Sequence, residues 1–334
     1  MKRLLPAVLL LAAVLLLVSC GNQRPAAACP LTVNGTPLDE EVFTYFLDKA
    51  AAALPEGSQE EQIGYAVQLC IHYVAVNSTF AGEGMTLSPA EKKETDEDVN
   101  TQWRLYGPYY SSLGVSRQTF AKIRRSDRYT EKLRQAYFGE GGSDEVPAQR
   151  LREYLAARYV AFRAIRLPKT VRDAYGKEAE RSEAQNSALQ AKISAGLSAV
   201  NDNGTGIESV FATFVSDRNG DREEYAEVVT DGSDHAWSAE FVEAVRGVPE
   251  GKAAALDYGD SYYLVYRENI LADDDIYEAY KGKCLEALTE NDLLARIDAI
   301  GGAYSSVKDQ PALAACWNSY RNALAKAEKQ EKGN

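Results

Sequence analysis

The hydrophobic period of this chain changes twice along its length, and that change restricts the fold more than any single motif does. From Asp39 to about Tyr137 apolar residues recur at helical spacing. From Tyr159 to Arg267 short strand-like runs are mixed with helical ones, and from Asp273 to Lys329 the helical spacing returns. Helices, a compact mixed segment and helices again form the pattern of one domain inserted into another. The expected fold class is α+β, mainly α. Its boundaries fall at residues 30–158 for the first helical part, 159–268 for the mixed module, and 269–334 for the terminal helices that complete the first domain.

Local signals place the elements. Asn34-Gly35, between Leu31-Thr32-Val33 and Thr36-Pro37-Leu38, suits the positive φ angles of a tight hairpin. Asp39 is positioned to cap a helix whose first turn holds Glu40 and Glu41. A second helix is expected over about Glu60 to Phe80. A third should run from Pro89 through Trp103 and Tyr106 to a break at Gly107-Pro108, and a fourth should start after Ser116. In the mixed module, strands are expected at 159–167, 253–258 and 261–267. A long polar helix is expected over about 173–197, and shorter helices at 207–215 and 238–245.

The first twenty residues, MKRLLPAVLLLAAVLLLVSC, pair a basic start with an apolar run that is short for a membrane span and ends at a cysteine. Leu17-Val18-Ser19-Cys20 resembles the lipobox of bacterial lipoproteins, which implies removal of residues 1–19, diacylglyceryl transfer to Cys20, and anchoring on the extracytoplasmic face of a bacterial membrane. Residues 20–29 then form the lipidated end and a linker of roughly 30 Å at full extension. Four further cysteines, Cys29, Cys70, Cys284 and Cys316, sit in a compartment that permits disulfides and allow three pairings or none.

Charge and composition exclude several function classes. The formal charge is −12, and removing Lys2 and Arg3 with the leader makes it more negative, so nucleic acid is not an expected partner. Two distant histidines and no C-x-x-C pair leave little for a metal site, and no cofactor fingerprint is present. Asp217-Arg218-Asn219-Gly220-Asp221 fails as a calcium loop because glycine is fourth and position twelve is Val228. Residues 39–100 are strongly acidic and 117–172 strongly basic, which fits helices that pack with opposite charges together. Trp103, Tyr106, Tyr109 and Tyr110, in a chain with 20 tyrosines, are core residues or a surface for extended peptide.

The order of parts resembles the parvulin-type foldase lipoproteins, the PrsA and SurA-like group. The resemblance rests on the lipobox, the Val33-Asn34-Gly35 hairpin leading into a helix, the helical region, and an inserted strand-helix-helix-strand unit. It spans roughly Pro30 to Arg267. It implies a chaperone domain, built from both ends of the chain, that cradles unfolded exported polypeptide, and an FKBP-like α+β module that isomerises X-Pro bonds without a cofactor. Phe162 to Leu167 match the family's first strand, Phe214-Val215-Ser216-Asp217 its aromatic-x-Ser-Asp turn, Phe241 to Gly251 its Phe-to-Gly spacing, and Ser261 to Val265 its last strand. The positions that line the family's site differ. Ala164 and Tyr263 stand where it has histidines, and Arg218 stands where it has Cys or Asp; the Gly-Gly-Asp-Leu-Gly run is absent. Isomerisation crosses a barrier of about 18–20 kcal/mol and needs an apolar proline pocket and groups that favour the twisted amide. The resemblance with these replacements therefore implies a module that keeps its fold and has lost its reaction. The alternatives are a working isomerase of the same architecture and a solute-binding lipoprotein. Clients and oligomeric state are not encoded in any recognisable motif.

Overall fold

Asn34 and Gly35 take φ angles of 45° and 77°, the left-handed backbone the hairpin demands, and join β1 (Leu31–Val33) to β2 (Thr36–Leu38). The computed structural model describes residues 29–172, 175–215, 225–233 and 236–331. Asp39 caps α1 (Glu40–Ala53), its Oδ1 accepting from the Val42 N–H at 2.9 Å. Ser58 and Ser88 cap α2 (Gln59–Gly82) and α3 (Pro89–Ser112), each in a reciprocal box with a glutamate three residues on. α4 (Arg117–Phe138) starts at Ser116. Glu41 joins two helix starts, since its Oε2 accepts from the Ser116 N–H, the Ser116 hydroxyl and the Thr119 hydroxyl. Burial pushes this carboxyl up, but the hydrogen bonds from Ser116 and Thr119 outweigh it and hold the group below its ordinary value.

The expected break at Gly107-Pro108 does not occur, and α3 runs on to Ser112. Proline removes one hydrogen bond. Packing compensates, because the Trp103 indole lies over Gly107 so closely that a Cβ there would sit 2.7 Å from Trp103 Cε2. Parts of the acidic and basic segments of the sequence meet as an antiparallel ladder between α3 and α4. Glu91 pairs with Lys132 at 2.8 Å, Glu94 with Arg128 at 2.8 Å, Asp96 with Arg125 at 3.2 Å, and Asp98 with Arg124 at 3.3 Å.

The mixed unit begins with α5 (Ala148–Arg158) and the long strand β3 (Val160–Pro168). A small hairpin of β4 (Thr170–Arg172) and β5 (Glu178–Glu180) precedes α6 (Glu183–Asn201) and α7 (Ile207–Val215), so the helix expected at 173–197 starts ten residues later than its polar pattern suggests. Next come β6 (Tyr225–Thr230), which the sequence analysis did not assign, α8 (Ala239–Arg246), β7 (Lys252–Tyr258) and β8 (Ser261–Arg267). The sheet has the order β6-β3-β8-β7, antiparallel throughout. Alternation along the strands divides the apolar side chains between two faces. Ile165, Leu167 and Leu264 pack on Ile193, Val210 and Phe214 of α6 and α7. Phe162, Ala164 and Val265 pack on Phe241, Val242 and Val245 of α8.

The chain then forms α9 (Asp274–Gly302), β9 (Ser306–Lys308) and α10 (Gln310–Glu331). β9 pairs with the free edge of β1, giving the order β2-β1-β9 with Thr32 opposite Val307. Leu313, Cys316 and Tyr320 of α10 are buried in the same core as Phe43, Leu47, Cys70 and Phe120. Two compact units result: residues up to Tyr137 together with those from Glu290 on, and Phe138–Thr289. The second is larger than the segment 159–268 because α5 and the start of α9 are stitched to it. The Arg152 guanidinium lies 3.9 Å from the Tyr277 ring and pairs with Asp274 at 2.8 Å, while the Tyr280 hydroxyl donates to the Val229 carbonyl at 3.0 Å. The fold is α+β and mainly helical. No described helix is long and apolar enough to cross a membrane.

Two predictions follow from this packing. Leu313→Ala should cost about 2–4 kcal/mol and should speed hydrogen exchange in α1, since both helices share one core; unchanged exchange in α1 would separate the two ends of the chain. The Lys132 and Ser88 hydrogen bonds lower the Glu91 carboxyl from its ordinary 4.5 to about 2. Its stabilisation is therefore complete above 4.5 and is lost as pH falls toward 2. Burial pushes the Asp127 carboxyl up, which works in the opposite direction. Glu91→Ala should cost about 1–2 kcal/mol near neutral pH and flatten the acid limb of the stability curve, measured by denaturant unfolding across pH 2–7.

Candidate functional site

The α8 face of the sheet opens at one end into a pocket of about 260 Å³ lined by Arg166, Ala226, Trp237, Phe241, Tyr258 and Tyr263, with Ala236 and Ser238 at its edge. Each strand contributes one wall residue because strand alternation aims positions 166, 226, 258 and 263 to the same side as Phe162 and Ala164. Ser238 caps α8 by accepting from the Phe241 N–H at 3.2 Å, and this fixes where the aromatic pair begins.

The walls are locked by edge contacts. Trp237 stacks on Phe241 with centroids 4.9 Å apart, and Tyr263 meets Phe241 edge-on at 4.9 Å. The Tyr258 hydroxyl is 2.5 Å from the Ser238 hydroxyl and donates to Glu240 at 3.2 Å. Arg166 brings a cation to the rim, but Asp260 accepts from its Nη2 at 2.8 Å and the Ser261 hydroxyl from its Nε at 2.9 Å. The Arg166 hydrogen bond, with a smaller one from Ser261, holds the Asp260 carboxyl below its ordinary value. The pocket thus combines aromatic ring faces with polar groups, the Tyr258, Tyr263 and Ser238 hydroxyls and the paired Arg166, and suits a ring-shaped or apolar side chain held by contact.

Of the three positions expected to line an isomerase site, Tyr263 is a pocket wall, and Ala164 does not line the pocket but is buried at 1% exposure in the core against which Tyr263 packs. Arg218 lies outside the described residues, as does Cys20. The sequence analysis missed Trp237, Tyr258 and Arg166. Trp237, next to the helix-capping Ser238, and Tyr258, at the turn of the closing hairpin, were the available signals.

The four aromatic residues of α3 divide. Tyr110 is core, stacked on Tyr45 at 5.2 Å, and Trp103 packs against Phe120 at 5.4 Å. Tyr109 donates its hydroxyl to the buried carboxylate of Asp48, which also accepts from Tyr320 at 3.2 Å. Tyr106 is 54% exposed beside Leu105 at 64%, and Tyr109, one turn on, is 40% exposed, so the three form an outward apolar step. Cys29 is an exposed thiol; Cys70, Cys284 and Cys316 are buried thiols, and none of the four is in a disulfide. Burial, with a smaller contribution from Glu40, pushes the Cys316 thiol up to about 12. Among the described residues no group of three His, Cys, Asp or Glu side chains is placed to hold a metal ion.

No family model matches the chain, and no curated protein does. Among solved structures, the chain is similar to the foldase protein PrsA from Streptococcus pneumoniae at 15% identity, covering 82% of this chain and 94% of that one with a TM-score of 0.37. It is similar to PrsA from Lactococcus lactis at 14% identity, covering 88% and 99% with a TM-score of 0.37. PrsA from Bacillus subtilis gives 12% identity, 88% and 90% coverage, and a TM-score of 0.27.

Ala164→His tests how much room the Ala164 site holds. Ala164 is fully buried, so the imidazole should overpack it and cost about 1–3 kcal/mol, with no acceleration of proline-peptide isomerisation over the wild-type chain. A stable variant that accelerates isomerisation would contradict this.

Proposed function

We propose that this chain is an extracytoplasmic folding factor, tethered by a lipid on Cys20, that binds unfolded exported polypeptide reversibly and needs no cofactor. The mixed unit is its parvulin-like module, which binds side chains of extended polypeptide in the Trp237–Tyr263 pocket without isomerising X-Pro bonds. The observation that carries the reading is the pocket itself. An aromatic box walled by Trp237, Phe241, Tyr258 and Tyr263 includes Tyr263, one of the positions the resemblance assigns to an isomerase site, and adjoins the core that holds Ala164.

The chemistry supports binding over turnover. Aromatic walls hold apolar groups well. Twisting an amide additionally requires groups that favour the twisted form over the planar one. Ala164 supplies no polar group, and the Arg166 guanidinium is engaged by Asp260 and Ser261. The discontinuous helical body, with α10 packed into the core of α1, supports the chaperone-domain part of the reading.

The test is a refolding assay on an aggregation-prone client run beside a proline-peptide isomerisation assay, both with the full chain. Aggregation should be suppressed near equimolar protein, while isomerisation keeps its uncatalysed time of tens to hundreds of seconds. Acceleration of both processes would make the chain a working isomerase. Neither effect, together with a thermal shift by a small solute, would make it a solute-binding lipoprotein.

A further inference from the structure

The geometry points to a second element of polypeptide capture: the outer edge of β7 takes an extended client segment as an added strand beside the aromatic pocket. This inference rests on the polypeptide-binding reading above and specifies how the backbone is held.

β7 is an edge strand, paired on one side with β8. The outward direction of its backbone is fixed by Asn201, whose side-chain amide donates to the Ala253 carbonyl at 2.9 Å and accepts from the Ala253 N–H at 2.9 Å. Asn201 thus makes the two bonds that a neighbouring strand would make at that residue. By the two-residue alternation of an antiparallel ladder, Ala255 and Asp257 present their N–H and C=O groups to the same side, and both residues are exposed. The Asp257 side chain is held by Lys169 at 2.5 Å, on the sheet face opposite the pocket.

Natural sheet edges are usually blocked by proline, a bulge, a covering element or charges along the edge. Here, among the described residues, Asn201 covers the edge at Ala253, and the stretch Ala254-Ala255-Leu256 carries only small or apolar side chains. Leu256 and Tyr258 belong to the pocket face. A strand laid along Ala255 and Asp257 would run about 4.8 Å from β7, with alternate side chains on the same face as Tyr258, at the pocket rim. An extended polypeptide is the partner this arrangement fits. Backbone bonds are indifferent to client sequence, and a short open edge keeps binding reversible.

Proline at an outward-facing position of an edge strand is tolerated because it deletes only the unused donor. Ala255→Pro should leave the β7–β8 ladder and the melting temperature nearly unchanged. It should weaken binding of a labelled dodecapeptide of alternating valine and threonine to the full chain about tenfold, read by anisotropy. In the wild-type chain, the same peptide should slow hydrogen exchange of the Ala255 and Asp257 amides. If the variant unfolds, that exchange measurement decides alone. Peptide binding with unchanged exchange at both amides would overturn the edge inference while leaving polypeptide binding standing. No anisotropy change at any concentration would overturn both.

Discussion

The structure of the helical unit depends on the contact that closes its two ends, β9 on β1 and α10 on the core around α1. A two-stranded hairpin is marginal by itself, and β1–β2 gains its third strand from residues nearly three hundred positions away. The three residues of β9 contribute few bonds. The larger part comes from burying Leu313, Cys316 and Tyr320, worth roughly 5 kcal/mol together, so apolar burial holds the ends and β9 sets their register. Tyr320 also reaches Asp48, and the Trp317 indole donates to Gln62 at 3.3 Å, which fixes the rotation of α10. Once these ends are joined, the chain both enters and leaves the mixed unit from the same body.

Charge has a different role. α3 fully buries only Val99 and Tyr110 among its large side chains, with Trp103 half-buried against the core, and its contact with α4 includes a ladder of carboxylates and cationic side chains. Exposed ion pairs contribute little individually. Their order along the two helices nonetheless selects one antiparallel register, which accounts for part of the acidic and basic segments of the sequence.

Capping residues made much of the helical unit legible. Asp39 and Ser116 each sit where they cap a helix, Pro89 opens the third as expected, and Asn34-Gly35 turns as expected. The missed elements lack a local signal. β9 is three exposed residues with no period, and it and β6 are defined by their partners β1 and β3 rather than by their own residues. The helix through Pro108 was misread because the compensation is a packed indole over Gly107, which spacing alone does not reveal. At the candidate site, Ala164 and Tyr263 could be named from the resemblance. Trp237, Tyr258 and Arg166 could not, because strand alternation and the sheet order β6-β3-β8-β7 bring them together.

The proposed function requires the aromatic pocket to bind polypeptide without turning over the X-Pro bond: Ala164 brings no polar group toward a twisted amide, and Arg166 is engaged by Asp260 and Ser261. The most direct measurement is two-dimensional exchange NMR of an X-Pro peptide with the full chain. Peptide resonances should broaden on binding while cis and trans peaks show no exchange cross-peaks beyond the free peptide; cross-peaks that grow with substoichiometric protein would contradict the account.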